Sequence, residues 1–184
     1  MRPSRTPVLV ALLCGALVAV GSPASAQTRT FADARGDAPA TVDVLRTKVT
    51  YTASSVRVVV RVRDLRRGAS GEHYPSSVLI DTTTRRRGPE FAVSADENHT
   101  YFARMRSWRA VEDPSDPNGA QSCRFALRYD TRGNRITYTV PRACLGNPSR
   151  VRVTIGVYST FASGSTASDL SPRKRAFHGW VRRG

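Results

Sequence analysis

From Ser55 onward the chain alternates between apolar and polar residues. In SVRVVVRVRDL, Val56, Val58, Val60 and Val62 fall on one side of an extended backbone, and Arg57, Arg61 and Arg63 on the other. In RVRVTIGVY, Val151, Val153, Ile155 and Val157 oppose Arg150, Arg152 and Thr154. A period of two is that of a strand with one face buried, so arginine is expected to be the solvent face of these sheets. Cys123, Phe125, Leu127 and Tyr129 alternate with Arg124, Ala126 and Arg128, and Ile136, Tyr138 and Val140 with Arg135, Thr137 and Thr139. The turn residues Thr131-Arg132-Gly133-Asn134 join these two runs into a predicted hairpin. Shorter strand candidates are Val42 to Tyr51, Ser77 to Thr82, Glu90 to Ala95 and Thr100 to Arg106, with Gly, Pro, Asn or Asp in most of the connections. No long helical period occurs after the first residues. Together these signals predict an all-β protein, a single antiparallel β-sandwich of jelly-roll or immunoglobulin-like type. Arg66 to Pro75, Glu112 to Ala120 and Ala162 to Arg175 are expected to be its flexible parts.

The N-terminal residues change the picture from fold to compartment. Met1 to Ala26 contains Arg2 and Arg5, an apolar run from Pro7 to Gly21, and then Ala24-Ser25-Ala26. That is the pattern of a secretory signal cleaved before Gln27. The run is too short to cross a bilayer and no second one follows, so a soluble, extracellular domain spanning 27–184 is expected. Removing Arg2 and Arg5 lowers 29 basic residues to 27 against 14 acidic ones, a net +13. Such a charge draws a protein to polyanions in a salt-dependent way. All the basic residues are arginine except Lys48 and Lys174, a bias that fits a GC-rich genome.

Two cysteines, Cys123 and Cys144, follow the signal, and an even pair in an oxidising compartment reads as a disulfide. If Tyr129 lies opposite Ile136, Cys123 falls opposite Arg142 and Cys144 lies just beyond, after Pro141 ends the strand. Closing such a loop stabilises by about 3 kcal/mol in the chain-entropy model. A metal pair would need further cysteines or nearby histidines.

The stretch FADARGDAPATVD, Phe31 to Asp43, gathers three carboxylates in this basic chain, in the loop expected to lead into the first strand, Val42 to Tyr51. Its F-x-D-x-x-G-D, the following D-V, and alternating strands ending in VRVRDL resemble the start of carbohydrate-binding β-sandwiches related to family 9 modules and to the C-terminal domain of glucodextranase-type enzymes. The likeness covers Phe31 to Leu65, with a shorter loop between Asp37 and Asp43 than the glucodextranase-type pattern has. DTTTRRRGPEF and the closing FHGWVRRG are similar to small secreted proteins of high-GC bacteria. The resemblance implies calcium near this loop, with Asp33, Asp37 and Asp43 as the metal-site residues. The chemistry agrees: a hard cation takes six to eight oxygens, and carboxylates on a loop that bends at Gly36 can converge on it. The alternative is that Asp33 and Asp37 cap turns through their own backbone. DPSDPNG, Asp113 to Gly119, lacks the EF-hand spacing and reads as turn chemistry.

Other motifs carry less. Arg35-Gly36-Asp37 is a chance tripeptide in this setting, and Asn98-His99-Thr100 is only a formal glycosylation sequon. His73, His99 and His178 are scattered, without HExxH or G-x-S-x-G, so no catalytic residue is assigned and no enzyme activity is expected. Asp81 and Glu90 are expected to answer the Arg85-Arg86-Arg87 run, with a carboxylate pair as the alternative. Sugar-binding sandwiches stack pyranose faces on Trp or Tyr, which makes Tyr74, Trp108 and Trp180 the ligand-binding candidates, with core packing as the alternative. Trp180 is also expected to clamp a terminal strand with Phe177. The charge admits nucleic acid, but no nucleic-acid-binding motif accompanies it. The expected function is a secreted, non-catalytic module binding polysaccharide or an anionic cell-envelope polymer. The alternatives are a basic secreted interaction or inhibitor protein that binds anionic partners, through a loop such as Ala162 to Arg175, and an unrecognised hydrolase.

Overall fold

The computed structural model describes residues 26–67, 74–95, 99–112, 119–160 and 164–184. Residues 1–25, which hold nearly all of the expected signal, His73, Asn98 and residues 113–118 of the DPSDPNG stretch lie outside them. In chain order the strands are β1 (Gln27–Ala32), β2 (Val44–Tyr51), β3 (Ser55–Val62), β4 (Ser76–Asp81), β5 (Phe91–Ala95) and β6 (Thr100–Arg104). There follow β7 (Gly119–Ala120), β8 (Ala126–Asp130), β9 (Arg135–Pro141), β10 (Arg150–Thr160), β11 (Thr166–Ser171) and β12 (Val181–Arg182). A short helix α1 (Trp108–Glu112) and one 3-10 turn (Arg142–Leu145) complete the elements.

Two antiparallel sheets pack face to face. The first has the order β1-β2-β3-β9-β8, and the second β11-β10-β4-β5-β6-β7, with β12 also pairing β10. Their inner faces are the predicted stripes: Val56, Val58, Val60, Val62, Ile136, Tyr138 and Val140 from one sheet meet Val151, Val153, Ile155 and Val157 from the other, all fully buried. Each such side chain contributes about 1.5–3 kcal/mol by leaving water, so the alternation alone selects the inward face. Across the core Ser76 of β4 holds the hydroxyls of Tyr138 at 2.5 Å and Tyr129 at 2.6 Å, tying the sheets with polar contacts.

The hairpin register is the expected one, with Tyr129 opposite Ile136. Cys123 and Cys144 are joined in a disulfide with Cα atoms 5.8 Å apart, Cys144 lying on the 3-10 turn after Pro141. Regular pairing starts only at Ala126, so Cys123 precedes the strand rather than beginning it.

Four sequence expectations change. Gln27–Ala32 is a strand paired with β2, so the acidic stretch connects two strands instead of leading into the first. Thr166–Ser171, inside the segment expected to be flexible, pairs with β10 from Thr160 back to Ile155. Neither segment has an apolar alternation to announce it; backbone pairing at a sheet edge recruits them. Arginine lines the solvent face of β3 but not of β10, because the second sheet is covered on its outer side as well. Leu79, Ala92, Ala103, Met105 and Ala110 form a second small core beneath Trp108 and Val111, and the C-terminal segment runs beside β10, His178 N–H donating to the Val153 carbonyl at 2.9 Å, with Phe177 and Trp180 packed on the Arg152 side chain. Finally, Asp81 is buried and paired to Arg152 of β10 rather than to the Arg85–Arg87 run.

Candidate functional site

The connection between β1 and β2 folds back on itself through backbone bonds. Val42 and Asp43 both donate to the Pro39 carbonyl at 2.9 Å, and the end of β3 holds the loop through Arg63 N–H to the Asp43 carbonyl (2.8 Å) and Asp64 N–H to the Ala40 carbonyl (2.9 Å). Gly36 bends the chain at φ +86°, a conformation that L side chains rarely adopt. Its N–H then donates to Asp43 Oδ2 at 2.9 Å. The same oxygen accepts from Arg63 Nη1 at 3.1 Å. Asp43 is fully buried, and its Oδ1 has no hydrogen-bond partner.

A residue from the opposite sheet completes the cluster. Asp169 of β11 reaches across to accept the Val44 N–H on its Oδ2 at 2.6 Å. Carboxylate oxygens of Asp37, Asp43 and Asp169 all lie within 4.8 Å of one another. Asp33 stands beside them, its Oδ1 accepting the Ala34 N–H at 3.0 Å and the Ser171 side chain next to its carboxylate. The fold thus brings Asp37 and Asp43 together as expected, places Asp33 at the margin, and adds Asp169, which sequence reasoning missed. TASDLS carries no motif around Asp169; only the β10–β11 pairing delivers it to the loop.

The electrostatics follow from this crowding. Burial raises the Asp169 carboxyl to about 6; the Val44 N–H opposes the rise and the charges of Asp37 and Asp33 add to it. Asp33 is raised for the same first reason, with Ser171 and the Ala34 N–H opposing and Asp37 and Asp43 adding. Several carboxylates with one guanidinium, Arg63, leave the cluster net negative, so a proton or a cation relieves it. An all-oxygen donor set with a buried, unpartnered oxygen fits a hard cation such as calcium, and lacks the nitrogen and sulfur ligands that select zinc.

Next to Asp33, Ser171 Oγ lies 3.1 Å from His178 Nε2. Both are buried, and His178 stacks on Phe31 at 4.7 Å. Burial lowers the imidazole to about 4 and keeps it neutral. The pair has the residue types of a nucleophile and base, with Ser171 fully buried and His178 6% exposed.

Trp108 and Trp180 belong to one ladder. Trp108 packs against Phe177 at 4.8 Å; Arg152 lies over both Phe177 (4.8 Å) and Trp180 (4.5 Å); Arg150 covers Trp180 at 4.4 Å. Arg152 thus joins Phe177 to Trp180 and is itself fixed by Asp81 at 2.5 Å. These contacts occupy ring faces that a sugar would need. Tyr74 is half-buried, its carbonyl accepting the Tyr129 hydroxyl at 3.2 Å. The exposed large aromatics among the described residues are instead Tyr101 and Tyr158. Glu90 accepts the Thr82 N–H at 2.7 Å, and its carboxyl is raised first by burial and further by the adjoining Asp81.

Neither the family models nor the curated proteins compared with this chain give a match.

Proposed function

We propose that the protein is an exported, calcium-stabilised β-sandwich that binds polysaccharide or an anionic glycan of the cell envelope without altering it chemically. The observation that carries the calcium reading is Asp43, whose fully buried Oδ1 lacks a hydrogen-bond partner amid the carboxylates of Asp37 and Asp169. Arg63 and the Gly36 N–H satisfy only Oδ2; a buried carboxylate oxygen without a partner is costly, and a bound cation would offset that cost. Asp37, Asp43 and Asp169 would hold the ion, while Gly36 and Arg63 keep Asp43 oriented. The ion would supply fixation of the β1–β2 loop against β11, a structural role. The binding role is supported by the resemblance of Phe31 to Leu65 to carbohydrate-binding sandwiches and by the positive charge of the chain.

Thermal melting in calcium and in chelator tests the metal. A ligand that binds only the folded state stabilises it by RT ln(1 + [L]/Kd), about 1.4 kcal/mol at roughly tenfold excess over Kd. Asp37→Asn and Asp169→Asn should each lose most of that gain. Asp169→Asn should also melt higher than wild type in chelator, because the amide keeps an acceptor for Val44 N–H while relieving repulsion. Equal wild-type melting with and without calcium would leave the acids as turn caps and partners of Arg63. Pull-down on insoluble polysaccharides and cell-wall preparations tests the binding role, and retention on none of them would remove it.

A further inference from the structure

The outer face of the first sheet stays open, unlike that of the second. Three rungs cross it. Arg46, Arg61 and Arg135 lie on adjacent strands and end at Asp130. Lys48, Val59, Thr137 and Arg128 form the next rung, and Thr50, Arg57, Thr139 and Ala126 the third. Lys48, Thr50, Arg57, Arg128, Arg135 and Thr137 are among the residues lining a shallow groove of about 390 Å³ there. Asp130 is the carboxylate at its edge, and it is taken by Arg135 at 2.7 Å. Arg46, Lys48, Arg57, Arg61 and Arg128 make no ion pair among the described residues, although Arg128 is close enough to help lower the Asp130 carboxyl, after the larger effects of Arg135 and the Gly133 N–H.

We infer that this groove binds a linear acidic polysaccharide with an anionic group on most of its sugars. The inference rests on the glycan-binding reading and supplies its site. Neighbouring strands lie about 4.8 Å apart, close to the length of one pyranose along an extended chain, so a polymer running across the strands meets Arg46, Arg61 and Arg135 in succession on the first rung, Lys48 and Arg128 at the two ends of the second, and Arg57 on the third. The threonine hydroxyls between the cations match sugar hydroxyls. No aromatic residue stands at the outward positions of these rungs, which disfavours a neutral sugar held by stacking and also single-stranded nucleic acid, whose bases stack on aromatic platforms. Val59 is the one large apolar side chain on the rungs, too little to enter a lipid interface.

The test measures binding of the full exported chain to polygalacturonate in chelated buffer, so that calcium plays no part, at several salt concentrations. Dextran, single-stranded DNA and anionic phospholipid vesicles are the comparison ligands. One variant carries Lys48→Gln, Arg57→Gln and Arg128→Gln; a charge-matched control carries Arg85→Gln, Arg86→Gln and Arg109→Gln, all exposed and outside the five-strand sheet. Wild type should bind polygalacturonate with an affinity that falls with salt, the face variant about tenfold or more weakly, and the control like wild type. Equal weakening of both variants would reduce the effect to net charge and overturn the site. Binding of DNA or vesicles as tight as that of polygalacturonate would overturn the ligand class. Salt-insensitive dextran binding retained by the face variant would overturn this groove while leaving a glycan-binding module in place. If neither polygalacturonate nor any polysaccharide of the pull-down panel is bound, the groove and the broader reading fall together.

Discussion

His178 shows how a single residue acquires a property that its sequence context hides. In FHGWVRRG it looks like a terminal polar residue, yet the fold buries it against Phe31 and Ser171. Its pKa falls from 6.5 to about 4, so the unfolded chain binds the proton more readily. The stability it secures is complete above pH 6.5 and declines as pH falls towards 4, by at most about 1.4 kcal/mol per pH unit. Asp169 acts in the opposite sense when free of metal: with a folded pKa of about 6 against 3.8 unfolded, it favours the fold as pH drops through that range. The residue-level test is therefore a difference. In chelator, the stability advantage of wild type over His178→Gln should shrink between pH 7 and pH 5; an advantage that stays constant would refute the buried neutral imidazole. Asp33, Asp37 and Asp43 were legible because they share one loop. Asp169 was not, because no local pattern distinguishes an acid that will cross to another sheet from one that faces water.

Among the elements, the strands with alternating apolar faces were legible to within a few residues, and those without were not. Val56 to Val62 had to form a strand, since only that backbone puts four valines on one side. β1 and β11 are held by backbone pairing at sheet edges, and their mostly polar sequences, QTRTFA and TASDLS, carry no stripe. The disulfide belongs to this scale. Among the described residues β8 pairs only with β9, at the sheet edge, and none of its residues is fully buried. The Cys123–Cys144 bond, across a separation of 21 residues, ties the approach to that edge back to the 3-10 turn. Replacing both cysteines by serine should cost about 3 kcal/mol in urea unfolding, with the largest gain in amide exchange on β8. An unchanged urea midpoint would show that the edge needs no such tie.

At the scale of the molecule, the acidic cluster is a contact between sheets. Asp37 and Asp43 come from the β1–β2 connection of the first sheet and Asp169 from the edge strand of the second, with Val44 N–H to Asp169 as the direct link. Calcium should therefore slow amide exchange at Gly36, at Val44 and along β11, while β8 and β9 at the far edge keep their rates; slowing spread evenly over both sheets would mean that the ion acts elsewhere. The two sheets also divide the arginines. The same alternating Val-Arg pattern leaves Arg57 and Arg61 open on the first sheet and packs Arg150 and Arg152 among Phe177 and Trp180 on the second. By itself the sequence determined the strand class, the inward stripes, the hairpin register and the cysteine pair, because each depends on residues near in the chain and on a period of two. Tertiary structure alone decided that Asp169 joins the loop acids, that Trp180 is capped by arginines and Trp108 packed on Phe177, and that one arginine face is open while the other is covered. Those outcomes depend on which sheet a strand joins and on what lies over it, and long-range pairing of that kind is set by the packing of the whole core, not by any window of sequence.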